Sequence, residues 1–288
     1  MPNLKAIRSR ITSVKNTRKI TRAMKLVAAA RLRKAQDNIT QLRPYALQTM
    51  QLIASLAARV DAKAHPLLAR REPNRIMLVV LTSDRGLAGA FNSGISKAAF
   101  RHYQQLVSEG KEVQIASVGR KGSDYFRRRG VEVTHSLGHV YDQLSYKKAR
   151  TIGEMIIRDY TEKNLDAVYL CYNEFKSAIT QNITIQRALP IEISEPDPEK
   201  PQLDYVYEPD QQTLLNLLLP MYVNGEVYRA LLESVASEHG ARMTAMDNAT
   251  NNAADMIQAL TLQANRARQA AITTELMEII SGAESLKG

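Results

Sequence analysis

The sequence predicts an α/β fold built from a long antiparallel coiled coil, made by the two chain ends, and an α/β domain with a mainly parallel sheet placed between them. Three observations carry this expectation. Asn3 to Arg43 contains neither Gly nor Pro and is dominated by good helix formers. From Gln211 the helical period returns and runs to the C-terminal end, with Pro220, Gly225, Gly240 and Gly282 as its interruptions. Between these stretches, short β-branched apolar runs alternate with helical patterns. The expected divisions are 1–60 for the N-terminal coiled-coil helix, 74–190 for the α/β domain and 210–286 for the C-terminal helix.

The first helix, at about 1.5 Å per residue, would reach roughly 60 Å, and a helix of that length needs a partner along most of it. Leu4, Ile7, Ile11 and Val14 form a seam at alternating three- and four-residue steps. Ile20, Met24 and Val27 are expected to continue it after a slip, followed by Ala28, Leu32, Ala35, Ile39 and Leu42. The seam alone fits an imperfect coiled coil or an ordinary amphipathic helix. Pro44 is expected to kink this helix without ending it, since Ala46 to Val60 still reads as helix.

Charge is distributed unevenly. The formal net charge is +10, while the first 43 residues carry twelve Lys or Arg against Asp37 and leave the remainder close to neutral as a sum. So many like charges on one helix call for an acidic environment. Nucleic acid is one such partner, and an acidic protein collar is another. No aromatic residue precedes Tyr45 to stack on bases. Composition alone does not separate the two readings, and a nucleic-acid-binding basic coiled coil remains the alternative. The N-terminal stretch lacks the apolar core of a secretory signal and is read as mature structure rather than a transit peptide. The single cysteine, Cys171, lies in an apolar run and is expected to be a buried thiol.

After a linker bracketed by His65-Pro66 and Glu72-Pro73, Arg75 to Thr82 reads as a buried strand. Ser93 to Ser108 is expected to be helix, Glu112 to Val118 strand, Lys121 to Arg129 helix, and Val131 to His135 strand. Tyr141 to Lys163 follows as helix and Asp166 to Tyr172 as strand. Ala178 to Arg187 alternates like a half-exposed strand. This βαβαβ order predicts a three-layer, Rossmann-like domain. Pro190 to Pro209 is an acidic, Pro-rich loop, and the helix after Gln211 is expected to span about 60 residues, roughly 90 Å.

Candidate chemistry is sparse. The turn Ser83-Asp84-Arg85-Gly86-Leu87-Ala88-Gly89-Ala90-Phe91-Asn92 follows the first strand, where α/β folds hold phosphate, yet it carries neither G-x-G-x-x-G nor a P-loop. It reads as a tight turn tethered by Asp84 and Arg85. An enzyme using those two residues is a further possibility. His135 and His139 read as surface histidines, and no catalytic triad, H-E-x-x-H or Cys/His cluster is present. No catalytic, metal or cofactor-binding residue is assigned.

Four segments are specific enough to carry a resemblance: IRSRITSVKNTRKITRAMKLVAAARLRKAQ at the start, SDRGLAGAFN, YVYEPD, and NATNNAADMIQALTLQANRARQAAITTELMEIISGA at the end. Together they resemble the gamma subunits of bacterial F-type (F1Fo) ATP synthases, over nearly the whole chain. The resemblance implies a central-stalk rotor, not itself an enzyme, whose asymmetric shaft turns inside a ring of alpha and beta subunits. It would couple transmembrane proton flow to ATP synthesis or hydrolysis and regulate ATPase activity. Its partners would be alpha, beta, the epsilon subunit and the c-ring, at the cytoplasmic face of the bacterial inner membrane and peripheral to it, with no nucleic acid and no cofactor. By position, Arg22, Met24, Lys25, Arg242, Arg268 and Gln269 match family segments that meet the beta subunit. Ile272 to Ile280 matches the tip that turns in an apolar sleeve. Tyr205, Tyr207 and Glu208 match the foot that meets epsilon and the c-ring. Ala88 stands where a Cys is often found, and the cysteine-bearing regulatory insert of chloroplast relatives is missing, so thiol control is not implied.

Overall fold

The structure is a computed structural model that describes residues 4–57, 65–69, 71–162, 165–178, 180–192 and 210–285. It divides into two compact units, Met1–Ala28 with Met243–Gly288, and Ala29–Arg242. Two helices contribute to both: α1 (Leu4–Ala57), which carries Pro44 inside it, and α5 (Gln211–Ser285), which carries Pro220.

The larger unit is built on five strands: β1 (Arg75–Leu81), β2 (Glu112–Val118), β3 (Val133–Leu137), β4 (Ala167–Phe175) and β5 (Gln181–Leu189). Their order across the sheet is β3-β2-β1-β4-β5. The first four are parallel and β5 pairs with β4 antiparallel. Every residue of β1 after Arg75 is buried, because a central parallel strand is covered on both faces and needs a continuous apolar run. Its side chains alternate between two cores. Ile76, Leu78 and Val80 meet Ile95, Ala99 and Phe126 of α2 (Phe91–Ser108) and α3 (Arg120–Arg127). Met77, Val79 and Leu81 join Ile152 and Ile156 of α4 (Tyr146–Glu162), Leu219, Val227 and Leu231 of α5, and Ile53 of α1. Cys171 lies in the α2/α3 core, where burial pushes its thiol up to about 12. On the opposite face α4 and α5 come together at Gly153, where an added Cβ would stand 2.0 Å from Asn224 Oδ1.

Several boundaries differ from the sequence reading, β4 running on to Phe175 and β5 spanning Gln181–Leu189 among them. The second helix begins at Phe91, and the third strand is Val133–Leu137. The fourth helix starts at Tyr146 rather than Tyr141. His139 and Gln143 adopt φ of 59° and 60°, a left-handed backbone that a right-handed helix cannot contain. Lys148 ties that loop down, its ammonium donating to the carbonyls of His139, Val140 and Asp142. His135 is not a free surface histidine either: its Nε2 lies 2.6 Å from Oδ2 of the buried Asp159. The C-terminal helix has 75 residues rather than about 60, since it runs through Pro220 without a break. Asp210 starts it, accepting the Thr213 N–H at 2.8 Å and the Thr213 hydroxyl at 2.7 Å. Those bonds hold the Asp210 carboxyl below its ordinary range.

In the smaller unit the start of α1 and the end of α5 pair antiparallel. The Thr21 and Thr250 hydroxyls are 2.7 Å apart, and Lys25 Nζ lies 2.6 Å from Asp247 Oδ1. The predicted slip in the seam does not occur. Along α1 the buried positions are Ile7, Thr21, Ala28, Leu32, Ala35 and Ile39, with Ile11, Val14 and Lys25 half-buried. These positions keep one heptad phase in three- and four-residue steps, apart from a single seven-residue gap between Val14 and Thr21 across which residues 15–20 are all exposed. Ile20 and Val27 are instead 60% and 53% exposed. A helix keeps the same face turned inward at this spacing, so a small or polar residue at a seam position is buried and an apolar one beside it is not.

The Thr21–Thr250 contact is a paired polar group inside a seam. Thr21→Val alone removes this contact, leaving the Thr250 hydroxyl its bond to the Met246 carbonyl at 2.7 Å, and is expected to cost about 1 kcal/mol. The double replacement with Thr250→Val removes both partners and should be close to neutral. A double-mutant cycle on thermal unfolding checks this; additive losses in the double variant would contradict it.

Candidate functional site

Five of the six residues expected to meet the beta subunit lie in the smaller unit. Arg22 is exposed and Met24 half-buried. Lys25 is paired with Asp247, with both side chains about two-fifths exposed (38% and 43%), so this ion pair contributes little on its own. Arg268 and Gln269 are exposed on α5. An open groove of about 510 Å³ runs beside this pairing, lined by Lys15, Arg18, Lys19 and Arg22 of α1 and by Ile257 of α5. The groove is cationic because the outward face of α1 repeats Lys and Arg while its inward face takes the small seam residues.

Beyond this, the end of α5 is apolar and uncovered. Ile272, Leu276, Met277, Ile279 and Ile280 are all between 48% and 68% exposed. Exposed apolar side chains clustered on one helix mark a contact surface rather than a solvated end.

Arg242, the sixth residue, ends the larger unit and is mostly enclosed, its side chain 12% exposed. Its guanidinium lies 2.5 Å from Glu238 Oε1, 3.2 Å from the Gly86 carbonyl and 3.2 Å from His239 Nδ1. Burial pushes the Glu238 carboxyl up, more than the Arg242 charge pulls it down. Burial, helped by Arg242 and Arg31, lowers His239 to about 4, so its ring is neutral and its Nδ1 can accept from Arg242. The buried Tyr141 hydroxyl is pushed well above its ordinary value by burial and by the Glu238 and Asp84 charges. Sequence reading assigned Arg242 by resemblance and missed Glu238 and His239, whose polar identity gives no hint that they face inward.

The turn after β1 is filled by the protein's own groups. Asn92 Oδ1 accepts the Ser83 N–H at 2.9 Å, and its amide donates to the Arg85 carbonyl at 3.2 Å. The Thr82 hydroxyl accepts the Gly122 N–H at 2.8 Å. Asp84 does not tether its own turn. Its carboxylate accepts the N–H of Arg120 and of His139, each at 3.1 Å. The Ser83, Arg120, Gly122 and His139 amides around this turn thus already have partners within the protein. Among the described residues no three His, Cys, Asp or Glu side chains cluster as a metal site. Tyr205, Tyr207 and Glu208 lie outside the described residues.

The ATP synthase family model matches residues 3–286. The chain belongs to the ATP synthase gamma chain family. Among its relatives, the ATP synthase gamma chain of Geobacter sp. (strain M21) is 49% identical over 288 residues, covering all of both chains. That of Anaeromyxobacter sp. (strain Fw109-5) is 51% identical over 290 residues, again covering all of both. Among solved structures, the chain is similar to one from the central stalk and c-ring of the Tetrahymena thermophila mitochondrial ATP synthase. The TM-score is 0.61 at 27% identity, over 80% of this chain and 99% of that one. A chain of the Euglena gracilis mitochondrial ATP synthase rotor, at 19% identity and a TM-score of 0.67, shares the fold over 93% of this chain and 98% of its own. This gamma-family chain therefore combines paired terminal helices with a five-stranded α/β domain, as the sequence reading expected.

Proposed function

We propose that this chain is the central-stalk rotor of an F1Fo ATP synthase and performs no bond chemistry itself. The observation that carries the reading is the antiparallel pairing of the chain ends, with a cationic groove on one side and an uncovered apolar tip, in a chain matched end to end by gamma relatives. A single asymmetric shaft presents a different surface to each of three beta subunits. It therefore acts as a differential ligand of their conformations, and its rotation exchanges their nucleotide affinities in turn. Arg22, Met24, Lys25, Arg242, Arg268 and Gln269 are the proposed coupling contacts with beta. The Ile272–Ile280 tip would turn in the ring's apolar sleeve, and Tyr205, Tyr207 and Glu208 would form the foot against epsilon and the c-ring. No described helix is long and apolar enough to cross a membrane; the proposed location is peripheral, on the cytoplasmic face of the bacterial inner membrane through Fo. Gamma relatives over the full length set aside the nucleic-acid alternative.

Reconstitution tests this reading. The purified chain should hydrolyse no ATP alone and should raise the ATPase activity of alpha and beta subunits. Reconstitution without any gain would overturn the rotor role.

Met24→Lys sets a further cation beside Arg22 and Lys25, at a half-buried position. It is expected to disturb coupling by about 1 to 2 kcal/mol while leaving assembly intact. ATP-driven proton pumping in membrane vesicles should fall more than ATP hydrolysis does. An unchanged ratio of pumping to hydrolysis would refute this.

A further inference from the structure

The near-neutral sum of charge outside the first helix hides a second concentration of cations. Helices α2 and α3, with the two residues after α3, carry Lys97, Arg101, Arg120, Lys121, Arg127, Arg128 and Arg129 against the single carboxylate of Asp124. All seven cations are exposed. The two helices adjoin on one face of the sheet, their contact marked by Phe100 against Tyr125 and Phe126 at ring distances of 6.2 and 6.3 Å. Arg129 is fixed in place, with its guanidinium 3.7 Å from the Tyr125 ring centre and one nitrogen donating to the Tyr125 carbonyl. Lys97, Arg101, Lys121, Arg127 and Arg128 form no ion pair among the described residues.

We propose that this outer face of α2 and α3 docks on anionic phospholipid headgroups. The proposal rests on the rotor reading above: the proposed foot residues Tyr205, Tyr207 and Glu208 lie between β5 and α5 in the chain, so that reading takes the α/β domain to the Fo side. Charge complementarity supports it: guanidinium groups match phosphate oxygens in pairs, and juxtamembrane cations are drawn to an anionic leaflet. The character of the face also selects a lipid surface over a protein partner. A stable protein interface needs an apolar, desolvated centre, whereas Val107 is the one large apolar side chain of α2 and α3 that is strongly exposed. Headgroups require only the charge.

The test uses the chain assembled with alpha and beta subunits, so that the cations of α1 lie within the ring. Binding is measured by cosedimentation with vesicles of phosphatidylcholine alone and of phosphatidylcholine mixed with phosphatidylglycerol. The assembled complex should bind the anionic vesicles and not the neutral ones. Each cation strengthens such binding about fivefold, so the triple variant Arg101→Gln, Arg127→Gln, Arg128→Gln should lose at least about tenfold, with its ATPase gain retained. Equal binding by triple variant and parent overturns the lipid surface and leaves the rotor reading intact. So does binding to neutral vesicles, or a loss of assembly in the variant, which would make the face a subunit contact. Duplex DNA held by the parent and released by the variant, without vesicle binding, would overturn it too. If the parent chain itself gives no ATPase gain, the rotor reading fails. The free chain then decides: its triple variant must lose more vesicle affinity than the matched α1 variant Arg8→Gln, Arg10→Gln, Lys15→Gln, and a larger loss in the α1 variant overturns the proposal.

Discussion

Gly119→Ala is expected to destabilise the α/β unit by about 4 kcal/mol, from backbone strain together with overlap. Gly119 joins β2 to α3 with φ 92° and ψ 141°, a conformation that side-chain-bearing residues rarely adopt. The space is closed as well. A Cβ there would stand 2.2 Å from the Thr82 carbonyl oxygen and 2.7 Å from its carbon, and backbone cannot swing aside. The same residue donates its N–H to Leu137 at 2.8 Å, so relief at one point disturbs the β3 edge. Urea unfolding followed by far-UV circular dichroism measures the loss. Gly130 provides the contrast, with φ 71° but nothing within 4 Å of an added Cβ; Gly130→Ala should cost only about 1 kcal/mol. Equal midpoints for the two variants would contradict the close-approach argument.

Arg242→Ala is expected to cost about 3 kcal/mol at neutral pH, because it leaves the Glu238 carboxylate enclosed without its cation. The pH dependence follows from the direction of the Glu238 shift. Its carboxyl is already raised above 4.5 in the folded chain, and loss of Arg242 raises it further. A raised carboxyl favours the folded state while protonated and loses that advantage as pH climbs through the folded value. The deficit of the variant relative to its parent should therefore be largest at neutral pH and shrink towards pH 4.5. His239 acts in the same sense, since Arg242 contributes to holding it near 4 and its removal eases protonation there. Adding Glu238→Gln to Arg242→Ala should recover most of the loss. A deficit that is constant across pH would show that Arg242 acts through packing alone. Reconstituted ATPase activity of the double variant then separates this local role from the proposed contact with beta.

Legibility in the sequence followed the physics of each element. Arg75–Leu81 was plain because a strand covered on both faces leaves an unbroken apolar run. The half-exposed β5 was equally plain, since Ile183 and Ile185 alternate with polar residues in the sequence, although burial along the strand is nearly uniform. The paired ends were visible as length without breakers. Their register was not. Thr21 and Lys25 occupy buried or half-buried seam positions while Ile20 stays in solvent, and reading by apolarity alone invents a slip where helical geometry has none. The early start given to α4 had a related origin: nothing in Tyr141-Asp142-Gln143 announces the left-handed backbone at Gln143. Asp84 was expected to tether its own turn and instead holds the amides of Arg120 and His139, partners distant in sequence that could only be found in space. The Glu238–Arg242 pair sits at helical spacing that ordinarily marks a solvated face; only packing turns it into an enclosed one.

Cys171 has a practical consequence for watching this molecule move. It is the chain's one cysteine, fully enclosed, with a thiol held up to about 12, and maleimides react with thiolates. A cysteine introduced at an exposed point would be the single site where a fluorophore or bead attaches. The natural chain can therefore carry an optical marker without first being stripped of competing sulfhydryls.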